Sequence, residues 1–68
     1  MNEILFLVEE IPDGGFIAHA LEVSIITEAD DSESLYIQIR DAVHCHFSKE
    51  EIPQIIRLFF IREEIITV

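Results

Sequence analysis

The spacing of apolar residues changes character along this chain, and the change divides it into elements. From Asp31 to Phe47, Leu35, Ile39, Ala42, Val43 and His46 fall at i, i+4, i+7, i+8 and i+11. That spacing lines one face of an α-helix. Asp31 stands where its carboxylate can accept from the first free backbone N–H groups, and Glu33 sets negative charge at the positive end of the helix dipole. No other stretch has this period, so one helix is expected over 31–47.

The flanking segments read as strand. Ile4 to Val8 is an unbroken apolar run between Glu3 and Glu9-Glu10, the pattern of a central strand buried on both faces. Pro12-Asp13-Gly14-Gly15 carries the strongest turn chemistry in the chain, because glycine tolerates the positive φ of a tight hairpin. Phe16 to Leu21 is then the antiparallel neighbour of the first strand. Glu22-Val23-Ser24 is a weaker turn, and Ser24 to Glu28, rich in β-branched residues, is a third strand. After the helix, Ser48-Lys49-Glu50-Glu51 is a polar stop and Pro53 prevents helical continuation. Gln54 to Val68 is again strand-like, interrupted at Arg62-Glu63-Glu64 by either a bulge or a turn. The expected fold is α+β in the order β-β-β-α-β: an antiparallel meander of three strands plus a returning strand, with one helix packed on one face.

Sixty-eight residues make a single domain, 1–68. A chain this short buries only about 60% of the surface it exposes when unfolded. Yet 50% of its residues are hydrophobic, more than one short helix can cover. A homodimer or higher oligomer is therefore expected to cover the rest. The net charge of −10, from 14 acids against 4 bases, repels phosphate backbones, and the scattered bases form no stripe. Direct nucleic-acid binding is not expected, whereas encounter with a small basic protein is favoured. A single cysteine, Cys45, excludes an internal disulfide and fits a reducing cytoplasm. The short apolar runs do not span a membrane, and the first residues lack the basic start of a signal peptide.

Candidate chemistry is thin. His44 and His46 flank Cys45, but residues two apart on a helix point about 200° away from each other and cannot share a metal. His46, on the apolar face, reads as a core histidine and His44 as an outward one. Cys45 falls near the rim. Adjacent helical Cys and His diverge, and no oxyanion hole is marked, so a nucleophilic pair is not expected. His19 reads as an exposed strand histidine. The acids Glu9, Glu10, Asp13, Asp30 and Asp31 are explained by turns and capping. No catalytic residue, metal site or cofactor is therefore assigned. Ile37 is the residue out of place: it lies about 200° from Leu35, on the face that should meet water. With Glu33, Arg40, Asp41 and His44 around it, it marks a candidate docking face for a partner.

Glu10-Ile-Pro-Asp-Gly-Gly-Phe-Ile-Ala18, followed by a third strand, Asp31-Ser-Glu-Ser-Leu35 and Arg40-Asp-Ala-Val43, resembles the HicB-like antitoxin family. In that family a Gly-Gly-aromatic-x-Ala strand precedes an acidic-capped helix with a basic-acidic-Ala-aliphatic tetrad. The tail Ile56-Arg-Leu-Phe-Phe-Ile-Arg-Glu-Glu-Ile-Ile66 is similar to the closing strand of its short, stand-alone members. The resemblance covers almost the whole chain through motifs that are structural. It implies a partly degraded RNase H-like unit that neutralises a small basic ribonuclease toxin, HicA, by covering the toxin's active site. Full-length members carry a C-terminal DNA-binding domain for which 68 residues leave no room, so operator binding is not expected. The chain has Leu21-Glu-Val-Ser24 where the family often has Pro-Glu-Leu-Pro-Gly.

The expected function is an antitoxin-type protein-binding module, meeting a HicA-like basic partner or a second copy of itself. The other readings are a small metal-dependent hydrolase or nuclease-like remnant, dependent on Asp13 or Asp30, and a purely structural homo-oligomer.

Overall fold

The computed structural model describes residues 2–68. Its elements are β1 (Glu3–Glu10), β2 (Phe16–Ala20), β3 (Ile26–Ala29), α1 (Ser32–His46) and β4 (Ile55–Ile61). They form one four-stranded sheet in the order β3-β2-β1-β4. β1 and β2, and β2 and β3, pair antiparallel, so the expected meander is present. β4 returns on the far side of β1 and pairs with it parallel, from Glu3↔Ile55 to Glu9↔Ile61. A parallel return needs a crossover, which α1 supplies.

Each element is built by local chemistry. Asp31 caps α1, its Oδ1 accepting from the Ser34 N–H at 2.7 Å. Leu35, Ile39 and Val43, at helical spacing, are its buried stripe. Pro12 and Asp13 occupy the corners of a turn closed by the Gly14 N–H donating to the Ile11 carbonyl at 2.9 Å. Gly15 sits at φ 101° against β3, where a Cβ would lie 2.8 Å from the Ala29 carbonyl oxygen. Only glycine meets both conditions.

The core lies between α1 and one face of the sheet: Ile4, Phe6 and Val8 of β1, Ala18 and Ala20 of β2, Ile25, and the three helical residues. The small side chains of β2 leave room for α1, which lies over β3 and β2. The register puts Ile56, Leu58 and Phe60 of β4 on this same face, but α1 does not extend over them. Phe60 instead meets Phe16 edge-on, with ring centroids 6.0 Å apart.

Four sequence expectations are corrected. β1 is central in the sheet but buried on one face only: Ile4, Phe6 and Val8 are buried while Leu5 and Leu7 remain half-exposed. Its apolar run serves two faces, and a single helix can close only one. The third strand begins at Ile26 rather than Ser24, because Ile25 turns into the core and its N–H donates to the Val23 carbonyl at 3.0 Å. His46 is exposed. The buried stripe passes from Val43 to Phe47, one turn on; its N–H still donates to the Val43 carbonyl at 3.1 Å, but its backbone turns extended as the C-cap and its side chain packs against the core. Arg62-Glu63-Glu64 is neither bulge nor turn: β4 ends at Ile61, and residues 62–68 form no strand in this chain.

Candidate functional site

The outward face of α1 is a stripe opposite its buried one. Glu33, Ile37, Arg40, Asp41 and His44 are all exposed, with Ile37 exposed to 61%. Glu33, Ile37, Asp41 and His44 follow one another by three or four positions, which stacks them along the helix. The fold thus brings the five sequence-predicted residues onto one surface. The ion pairs among the described residues lie elsewhere: Arg57 Nε to Glu3 Oε2 at 2.8 Å, and Arg62 Nε to Glu64 Oε1 at 3.5 Å. Glu3 pushes the Arg57 pKa up by accepting its hydrogen bond. Hydrogen bonding from the Ser34 backbone pulls the Asp31 carboxyl down; it is a capping group held ionised, away from the stripe.

Arg40 also borders a narrow groove of about 160 Å³ between α1 and β4, lined by Tyr36, Ile39, Arg40, Ile56 and Leu58. That is smaller than the ~300 Å³ at which small-molecule pockets begin. A wider, open depression of about 400 Å³ beside the glycine hairpin is lined by Ile11, Gly14, Glu28, Ala29, Asp30, Ser34 and Gln38. It contains Asp30 but not Asp13, so the two carboxylates named for a hydrolase do not share it. Among the described residues, no three His, Cys, Asp or Glu side chains gather as a metal site would require. His44, Cys45 and His46 are all exposed at the end of α1.

The apolar surface expected to exceed what one helix covers is a second open face, whose residues only the strand registers identify. The sheet's outer face carries Leu5 and Leu7, Ile17 and Ile26, and Phe59 and Ile61, since the paired registers put them on the side away from α1. Ile26, Phe59 and Ile61 are exposed to 76%, 49% and 46%. The signal was the lack of alternation in β1 and β4. An unbroken apolar run fits burial on both faces, and it fits equally a face awaiting cover. Among the described residues no helix is long and apolar enough to cross a membrane.

The chain is 39% identical over 67 residues to a UPF0150 protein of Thermotoga maritima, spanning 98% of this chain and 94% of that protein. The chain belongs to the UPF0150 family. A second UPF0150 protein, from Archaeoglobus fulgidus, is 46% identical over 55 residues, covering 81% of this chain and 82% of its own. No protein-family model matches the sequence, and no solved structure does. The small α+β unit described here therefore corresponds to nearly the full length of these UPF0150 relatives.

Proposed function

We propose that this UPF0150 protein is a HicB-like, antitoxin-type protein-binding module that docks a small basic protein on the outer face of α1. The observation carrying this reading is Ile37: a large apolar side chain, 61% exposed, within a stripe of ionisable residues on a chain of net charge −10. An apolar anchor inside a charged rim is the usual anatomy of a docking surface, and the acidic field steers a basic partner to it. The test is capture from host lysate at low and high salt. The captured basic protein is then titrated against wild type and Ile37→Asp. A partner that leaves at high salt, and binds Ile37→Asp at least about tenfold more weakly at unchanged Tm, supports the module. Bait recovered alone at low salt, or equal binding by the variant, overturns it.

Self-association is a second reading, favoured by the apolar outer face of the sheet and by the exposed side chains of β4. It is centred on the sheet and the β4 edge rather than on Ile37, and meets the outer stripe only at Arg40, which also lines the α1–β4 groove.

A further inference from the structure

The chain exposes more surface than its mass requires. Its accessible area is 5421 Å², whereas a compact monomer of 7.9 kDa exposes about 4400 Å². The excess of about 1000 Å² is close to the ~800 Å² that each partner buries in a standard interface. The radius of gyration, 13.4 Å, likewise exceeds the ~11 Å of a compact chain of this length. The surplus gathers at one end. Phe59, Phe60 and Ile61 of β4 are 49%, 52% and 46% exposed, and Ile65 and Ile66 beyond it 83% and 85%.

β4 is also an edge strand of seven residues. A long apolar edge with free backbone groups is a template for another strand. Beyond it, Arg62 and Glu64 meet at 3.5 Å. Residues 62–68 beyond the edge belong to no helix, strand or turn and pair with no strand among the described residues.

We propose that β4 pairs antiparallel with β4 of a second copy about a two-fold axis at Phe60, and that residues 61–65 continue the ladder on the partner. The assembly rests on the self-association reading and not on the basic partner. A two-fold axis perpendicular to the sheet keeps the helix faces together, so the register can move only in steps of two residues. With the axis at Phe60, the outer face sets Ile55 opposite Ile65, Arg57 opposite Glu63 and Phe59 opposite Ile61. Apolar meets apolar and charge meets opposite charge, each pair occurring twice. An axis at Phe59 puts Ile55 against Glu63, and one at Ile61 puts Phe59 against Glu63; both lose the match. On the helix face, the axis at Phe60 lays Arg62 beside Leu58 and Glu64 beside Ile56. Those two apolar residues border the α1–β4 groove, whose one charged lining residue is Arg40, opposite in sign to the incoming Glu64.

The test is sedimentation equilibrium on wild type, Glu63→Arg and, as control, Glu50→Arg in the loop before β4. Wild type is expected as a dimer of twice 7.9 kDa. Glu63→Arg faces Arg57 with a like charge at two symmetric positions and should raise the dimer Kd at least about tenfold. Relief of general repulsion predicts the reverse, since either substitution moves the net charge from −10 to −10 + 2 = −8. Glu50→Arg should therefore dimerise as well as wild type or better. Amide exchange gives an independent readout, with protection at Arg62 and Glu64, whose N–H groups face the partner in this register, that is lost on dilution. A monomeric wild type, a dimer unaffected by Glu63→Arg, or unprotected amides at Arg62 and Glu64 would each overturn the proposal. Ile37 takes no part in this pairing, so these outcomes are distinguishable from those of the partner-binding test, which turns on Ile37→Asp.

Discussion

Asp31 shows how much one side chain settles in a chain this small. Its Oδ1 accepts the Ser34 N–H at 2.7 Å, filling one of the orphan donors at the start of α1, and that bond holds its carboxyl below the ordinary 3.8. A carboxyl depressed in the folded state takes up its proton more readily when unfolded. Its stabilising contribution is therefore complete above the ordinary value and lost as pH falls through the lowered one. Asp31→Ala should lower the Tm by about 5 °C at neutral pH. The gap between the two proteins should close as pH is taken below the ordinary carboxylate range. Thermal melts at pH 7 and in acid measure this, and a gap that stays constant would show that the carboxylate charge is not what caps the helix.

At the scale of elements, the hairpin between β1 and β2 does more than reverse the chain. Gly15 closes it at φ 101°, with the Ala29 carbonyl 2.8 Å from where a Cβ would sit. The turn is thereby wedged against the end of β3, just ahead of the Asp31 cap. Gly15→Ala should cost about 1–3 kcal/mol, from left-handed backbone strain together with displacement of β3. Urea denaturation monitored by helical circular dichroism measures the loss. A change under about 0.5 kcal/mol would mean that the end of β3 gives way freely. α1 and β4 stand in a looser relation. The helix lies over β3 and β2, so Ile56 and Leu58 are only half covered and the narrow groove beside Arg40 stays open. This one-sided placement of the crossover helix leaves β4 incompletely covered, while its place at the end of the sheet order leaves its edge free.

For the whole molecule, net charge dominates. With 14 acids and 4 bases in 68 residues, folding gathers like charge into a small volume, and self-repulsion opposes the compact state. Salt should therefore stabilise this protein. At fixed protein concentration the Tm should rise as ionic strength goes from roughly 0.01 M to roughly 1 M, where the screening length shrinks from ~30 Å to ~3 Å. A Tm that falls with salt would mean that attractive pairs such as Arg57–Glu3 outweigh the net repulsion. The same charge keeps an apolar surface dispersed and, under the antitoxin-type reading, draws a basic partner to it.

The sequence by itself determined what depends on neighbours along the chain. The helix over 31–47 was legible because 3.6-residue periodicity, an Asp cap and an acidic first turn agree. The glycine hairpin was legible because its backbone demands are local. The exposed stripe around Ile37 followed from geometry within a single helix, as did the divergence of His44 and His46. Only the tertiary structure decided matters that depend on contacts between distant segments. An unbroken apolar run such as Ile4–Val8 gives no sign of whether both faces are covered; that depends on how many helices the chain supplies and where they lie. His46 obeyed the helical period and still emerged in water, because burial requires a surface opposite, and Phe47 reached it by leaving the helix. The parallel pairing of β4 with β1, and the missing partner for residues 62–68, were beyond any local signal. Strand propensity reports that a segment can pair, while the identity of its partner is set by topology.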